Sequence, residues 1–206
     1  ARVAEGNHLS NAQRTAAVNG LTDRFKAAGT GQAAAPLREA LLGAMGSLKD
    51  PRLADLMRAA LGDPQATVRL SAVKGLGRLG RPEAVAAVAE LTGDADRGVR
   101  LAALSVVQTM GTPAQLDAVL ARTDPAVEPD ETVREQAWTA AAALLAKADV
   151  ARLEKVAEKL AGQPALRGRL VEGVRLRAGK TPRVPREACA AVRRRRGAAL
   201  LAGSRR

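Results

Sequence analysis

The 206-residue sequence has few aromatic residues, one cysteine and one histidine. Phe25 and Trp138 are its only aromatic residues, which argues against a β-rich core because aromatic and β-branched side chains favour strands. Its single cysteine, Cys189, cannot form an intrachain disulfide, and its single histidine, His8, leaves too few ligands for a structural zinc site. We therefore expect a fold held by packing alone, without metal or cofactor.

Long apolar runs are also missing. The longest, residues 137–146, is interrupted by Thr139 and followed by Lys147, whereas a membrane-spanning helix needs roughly 18 or more apolar residues. The sequence therefore predicts a soluble protein, which we place in the cytoplasm. It begins with Ala1, which fits removal of an initiator Met, a cleaved signal peptide or an excised fragment equally well.

What the sequence does contain is alanine, leucine and valine, the main part of a 47% apolar content that favours closely packed helices. These residues follow an internal repeat. Apolar-arginine pairs are spaced by 31, 31 and 34 residues, and turn prolines by 31, so two independent markers share one period. The pairs are Leu37-Arg38, Val68-Arg69, Val99-Arg100 and Val133-Arg134, and the prolines are Pro51, Pro82 and Pro113.

Each repeat is predicted to be a helix, a short turn and a second helix. Proline begins the first helix, and Gly62, Gly93 and Gly111 fall where helices end. Apolar residues recur at helical spacing in both helices and predict the core. In the first helices they are Leu53, Leu56, Met57, Ala60 and Leu61, then Val85, Val88 and Leu91, then Leu116, Val119 and Leu120. In the second helices they are Val68, Ala72, Val73, Leu76 and Leu79, then Val99, Ala103, Leu104, Val107 and Met110, then Val133, Ala137, Trp138, Ala141 and Leu144.

This pattern of Asp, turn, Val-Arg and small aliphatic residues resembles the HEAT-like repeat family, including repeats of the phycobilisome-lyase type. The resemblance covers residues 35–147 and implies an all-α, right-handed α-solenoid of about four to five helical hairpins. We expect a capping helix at 9–29 and a degenerate fifth hairpin at 149–178. The predicted domains are an N-terminal capping region (1–34), the repeat solenoid (35–178) and a Pro-containing linker with an Arg-rich C-terminal helix or tail (179–206).

Two motifs have both a structural and a functional interpretation. In the family an Asp and an Arg link neighbouring repeats, which the resemblance assigns to Asp63, Asp94 and Asp124 with Arg69, Arg100 and Arg134; the alternative is a ligand-binding ladder. Gly75, Gly77 and Gly80 spell G-x-G-x-x-G. That motif binds dinucleotides when it follows a strand and opens a helix, but here it is predicted to close one.

In this family the second helices line the concave face, so the resemblance identifies the candidate surface. The exposed positions predicted to bind a partner are Ser71, Lys74, Arg78, Ser105, Thr109, Gln136 and Thr139, with Ala40, Gly43, Ser47, Ala102 and Ala143 beside them. Such small, weakly polar side chains suit a bound peptide or helix.

Positive charge is concentrated at the C-terminus. The chain has a net charge of +12, of which residues 175–206 supply +10. Four consecutive arginines cover most of a helix circumference and cannot all pack against the repeats. The predicted anion-contacting residues are Arg183, Arg186, Arg193, Arg194, Arg195 and Arg196, which would meet an acidic partner, nucleic acid, anionic lipid or only solvent.

No set of residues in the sequence forms a catalytic constellation. The first interpretation is therefore a non-enzymatic scaffold that binds another protein through its repeats, with the tail contacting an acidic partner. The second is a nucleic-acid-associated protein using the tail for phosphate contacts. The third, an enzyme such as a bilin lyase acting through a bound cofactor, rests only on the repeat type.

Overall fold

The computed structural model describes residues 9–149 together with 155, 156 and 168. Eight α-helices and no strands occur in this part of the chain, so the predicted all-α, α-solenoid type of repeat is confirmed. The helices are α1 (Asn11–Ala27), α2 (Ala35–Leu48), α3 (Ala54–Ala59), α4 (Ala66–Leu79), α5 (Val85–Glu90), α6 (Arg97–Met110), α7 (Leu116–Ala121) and α8 (Glu131–Leu145).

The chain divides into two compact units, residues 1–111 and 112–206. In the first unit α2 packs against α4 and α4 against α6, and each of these helices also packs against the helix before it, α1, α3 and α5 respectively. In the second unit α7 packs against α8. None of the described helices is long and apolar enough to cross a membrane.

The first helix of each repeat begins as predicted at a proline. Pro51, Pro82 and Pro113 each open a three-residue 3-10 turn that leads into α3, α5 and α7. Proline fits there because its fixed φ suits the first turn and its missing N–H would have no intrahelical acceptor. Gly62 and Gly93 end the 3-10 turns that follow α3 and α5.

The ends of α2 and α4 use the left-handed backbone region. Gly80 ends α4 with φ 70°, and the residue 31 positions earlier, Lys49, ends α2 with φ 50°. Left-handed backbone is strained for residues with a Cβ and free of that strain for glycine. The first repeat therefore holds a lysine where the second holds the residue best suited to the turn.

The predicted core register is confirmed. Val68, Val99 and Val133 are fully buried, and Trp138 is only 7% exposed. Leu37, which aligns with these valines, is instead 51% exposed. The difference fits a terminal repeat, since α2 has no earlier repeat of the same kind beside it.

Candidate functional site

Nine residues of the first unit form a three-by-three arrangement on neighbouring helices, here called the second-helix face. Equivalent positions on α2, α4 and α6 are 31 residues apart, and none of the nine is buried. The arrangement contains four of the predicted partner-binding residues in exposed positions and Ser71 in a half-buried one. Its rows are Ala40, Ser71 and Ala102; Gly43, Lys74 and Ser105; and Ser47, Arg78 and Thr109.

Two of the four hydroxyl groups on this face are bound to the backbone of their own helices. Ser47 Oγ donates to the Gly43 carbonyl at 3.0 Å, and Thr109 Oγ1 lies 3.2 Å from the Ser105 carbonyl oxygen. Hydroxyls bonded to the preceding turn present little polar character to solvent. The charged groups of the face are therefore those of Lys74 and Arg78.

In the second unit the predicted positions have three different environments. Thr139 is exposed and donates to the Glu135 carbonyl at 2.9 Å, while Gln136 is half-buried. Ala143 is only 3% exposed, so its predicted exposure is wrong. Residues 140–145 are all buried and cover the whole circumference of α8, which encloses the end of this helix on every side.

The Asp-Arg motif links consecutive repeats within the first unit. Arg69 Nε donates to Asp94 Oδ2 at 2.8 Å and its Nη2 to Asp94 Oδ1 at 2.7 Å. One repeat earlier, Arg38 Nη2 donates to Asp63 Oδ1 at 2.8 Å, and both side chains are buried. The predicted structural role of these residues accounts for their contacts, because their charges are used inside the repeat stack.

Burial alone would raise the pKa of the Asp94 carboxyl group. Hydrogen bonds from the Arg69 guanidinium and the Asp96 N–H outweigh that effect and hold the pKa below its ordinary range. The hydrogen bond to Asp94 in turn raises the pKa of Arg69. The pair is therefore ionised at neutral pH.

The same arginines also hold the turn of their own repeat. Arg69 Nη1 donates to the carbonyl oxygens of Asp63 and Pro64. Arg100 Nη1 donates to the carbonyl oxygens of Asp94 and Ala95. Arg134 Nη1 donates to those of Glu128 and Pro129. Each arginine thus fixes the backbone that leads into its own second helix.

Glu128 occupies the acidic position of the last described repeat, so the prediction of Asp124 is wrong. Glu128 is buried, and its Oε1 accepts the Asp130 N–H just as Asp94 Oδ1 accepts the Asp96 N–H. Asp124 instead accepts the Ala126 N–H inside a three-residue insertion, which accounts for the spacing of 34 instead of 31 between Val99 and Val133. Because of the insertion, the acidic position lies 34 instead of 31 residues after Asp94, and the longer glutamate side chain fills it.

The glycine motif lies in the last turns of α4, where it closes the helix as predicted. A Cβ atom on Gly75 would lie 2.8 Å from Met57 Sδ, and one on Gly46 would lie 2.9 Å from Gly75 Cα. A Cβ on Gly77 would lie 2.8 Å from Val106 Cγ2. These glycines therefore permit close approach of helices, a role that the sequence analysis missed.

A second unpredicted cluster attaches α1 to the repeats. Arg14 Nη1 donates to the Leu48 carbonyl at 3.0 Å, and Arg52 Nη1 donates to Thr15 Oγ1 at 3.1 Å. Asp50 is buried between these arginines, and the hydrogen bond from the Arg52 side chain is the main cause of its lowered pKa. Arg38 also donates to the Gly29 carbonyl, which fixes the loop after α1.

Several predicted features fall outside the described residues. Of the predicted fifth hairpin, only residues 149, 155, 156 and 168 are described. His8 and Cys189 also lie outside the described residues, as do the six tail arginines, Arg183, Arg186, Arg193, Arg194, Arg195 and Arg196. Within the described part of the chain, no group of three or more His, Cys, Asp or Glu residues is placed to hold a metal ion.

The family profile of HEAT repeats matches residues 22–108 and 54–142. Together the matches span more than half of the 206 residues, and the chain belongs to the HEAT repeat family. No curated protein matches the chain. HEAT repeats commonly act as scaffolds for protein interaction, whereas the finer likeness to the phycobilisome-lyase type stays a prediction.

Proposed function

We propose that the protein is a non-enzymatic scaffold that binds another protein through the exposed side of its second helices. The observation that carries the proposal is the second-helix face, a regular array of exposed and half-exposed side chains on three neighbouring helices. HEAT and other helical repeats bind partners over extended surfaces of this kind. The proposed binding residues are Ser71, Lys74, Arg78, Ser105 and Thr109, with Gln136 and Thr139 in the second unit.

The charged residues of the Asp-Arg motif are already engaged within the repeats. Arg38 and Arg69 pair with Asp63 and Asp94, and Arg134 holds its own turn. These contacts favour a structural role for the Asp-Arg motif and leave the second helices as the candidate surface. We also propose that the basic segment 179–206 makes a secondary contact to an acidic partner. The proposal includes the division of the chain into residues 1–34, 35–178 and 179–206. It also includes a cytoplasmic location.

Site-specific photo-crosslinking in the native host tests the proposed surface. A photoreactive phenylalanine analogue is introduced at Ser105 on α6 and, as a matched control, at Ala86 on α5, since both residues are exposed. We expect a discrete protein adduct from position 105 that position 86 does not give. Adducts from position 86 alone, or no protein adduct from either position, would contradict the proposal.

A further inference from the structure

Charge is segregated between the parts of each repeat in the first unit. Helices α4 and α6 contain no aspartate or glutamate. Among the described residues of this unit, all acidic residues other than Glu39 lie on α1, on the first helices or in the turns. No carboxylate of α4 or α6 can therefore neutralise the cations of these two helices.

Lys74 and Arg78 are the cations of α4 that the repeat does not use. Arg69, on the same helix, is paired with Asp94. Lys74 and Arg78 are both exposed, and neither forms an ion pair with any residue in the described part of the chain. The stem of Arg78 lies over α2, since its Cδ is 3.5 Å from the Cβ position of Gly46, which leaves the guanidinium at the surface.

Short side chains surround these two cations. Lys74 lies in the row of Gly43 and Ser105, and Arg78 in the row of Ser47 and Thr109, with α4 as the middle helix. The cations therefore project beyond the residues on either side, and a partner backbone can approach closely. Positions 74 and 78 lie about 6 Å apart along the helix axis, close to the roughly 6.6 Å between alternate residues of an extended chain.

We propose that the second-helix face binds an acidic segment of a protein partner, whose carboxylates pair with Lys74 and Arg78. This inference rests on the proposed function and adds the chemistry of the partner. Carboxylates at alternate positions of an extended segment match the spacing of the two cations. An acidic protein fits better than single-stranded nucleic acid because base stacking needs aromatic side chains, and the nine residues of the face include none.

Peptide titration of the full-length chain tests this inference. Arg193–Arg196 are replaced by glutamine in every form, so that the tail does not compete for the probe. The probe is a labelled peptide of alternating Glu and Ser, about twelve residues long and thus able to span the face, and its Gln-Ser counterpart is the neutral control. We expect binding of the acidic peptide alone, and about a tenfold or greater loss of affinity in Lys74→Glu/Arg78→Glu.

Arg24→Glu/Lys26→Glu on α1 is the matched control variant. It changes net charge by the same amount, and both residues are exposed in the last turn of their helix. We expect it to change affinity by no more than about threefold near 150 mM salt, because both residues lie on α1 and not on the helices of the face, and salt screens charges that are not in direct contact. Equal losses in the two double variants, or no binding of the acidic peptide, overturn the inference.

Two further outcomes separate the possible failures. An oligothymidylate of matched charge that binds more tightly than the peptide and depends on Lys74 and Arg78 would replace the acidic protein by nucleic acid. A protein crosslink at position 105 combined with unchanged peptide affinity in Lys74→Glu/Arg78→Glu would leave the scaffold function standing and overturn the acidic partner alone. Absence of any protein crosslink at position 105 in the protein that keeps Lys74 and Arg78 would contradict the scaffold function.

Discussion

Arg69 and Asp94 form a two-point ion pair across consecutive repeats, with donor-acceptor distances of 2.8 and 2.7 Å. We expect Asp94→Asn to lower the free energy of unfolding by about 2 to 3 kcal/mol, because it removes the anion from a largely buried, charge-assisted pair. Urea denaturation followed by circular dichroism measures the change. The control is Asp55→Asn, whose pair with Arg58 is exposed and contributes about 0.5 kcal/mol or less.

The same pair predicts the pH dependence. The folded-state pKa of Asp94 lies below its ordinary value of 3.8, so its contribution to stability is complete above that value and is lost as pH falls through the folded-state pKa. The stability difference between the wild type and Asp94→Asn should therefore be constant near neutral pH and shrink below about pH 4. A difference that grows as pH falls would contradict the assignment.

Gly46 and Gly43 lie on the same helix but differ in what an added methyl group would meet. A Cβ at Gly46 would lie 2.9 Å from Gly75 Cα, which is backbone and cannot move aside, whereas one at Gly43 meets nothing within 4 Å. We expect Gly46→Ala to destabilise by about 1 to 3 kcal/mol. Gly43→Ala should be neutral or stabilising by up to about 1 kcal/mol, because alanine favours the helix. Equal melting temperatures for the two variants would contradict the close approach of α2 and α4.

Lys49 and Gly80 occupy equivalent left-handed positions at the ends of α2 and α4. We expect Lys49→Gly to raise the free energy of unfolding by about 0.5 to 1 kcal/mol, because glycine adopts positive φ without steric strain. The reciprocal change, Gly80→Lys, should lower it by about 1 kcal/mol. Chemical denaturation of both variants measures the two changes. If Lys49→Gly lowers the free energy of unfolding, the lysine side chain stabilises the protein by more than its left-handed backbone costs.

Trp138 is the large aromatic side chain of the second unit's core. We expect Trp138→Ala to cost about 3 to 5 kcal/mol, because the deletion removes buried apolar surface and leaves a cavity. Because Trp138 is the only tryptophan in the chain, far-ultraviolet circular dichroism must replace fluorescence as the measure of unfolding. Val127→Ala is the control, since Val127 is exposed, and an equal effect of the two substitutions would contradict the register of α8.

Truncation after Gly179 tests the role of the basic segment. It removes nine basic residues and Glu187, and we expect the remaining chain to fold. If the protein is instead associated with nucleic acid, the full chain binds duplex DNA with a log-log salt slope of about −0.9 per neutralised phosphate, and the truncated chain loses most of that affinity. Under the scaffold proposal both forms bind duplex DNA weakly at physiological salt, and the protein crosslink at position 105 survives truncation.

The period of the repeat made much of the fold predictable from sequence. Val68, Val99 and Val133 share one position in the period, and burial of each follows from the same apolar spacing. The sequence pattern did not identify Glu128, because the insertion lies between the acidic position and the preceding helix. Counting forward from that helix therefore gives the wrong residue, whereas counting back from Val133 gives Glu128. The partner-binding positions were chosen from the same period, and their role stays a prediction.

Other features depend on contacts that periodicity does not encode. Whether Gly46 lies in a flexible turn or against another backbone depends on which helix packs beside it, and that is decided by the whole fold. Ala143 keeps the spacing of an exposed position, yet the end of α8 is enclosed on every side. Pattern alone identifies the face of a helix but not how much of the helix length is covered.

The arginine of one repeat and the aspartate of the next are 25 residues apart in both pairs, Arg38 with Asp63 and Arg69 with Asp94. A tandem duplication of any 31 consecutive residues within this region would preserve that spacing at the new junction. Each added copy would bring an aspartate that pairs with the arginine of the repeat before it. It would also bring an arginine that pairs with the aspartate of the repeat after it. The array can therefore lengthen by whole units without burying an unmatched charge, whereas gain or loss of part of a unit would leave one.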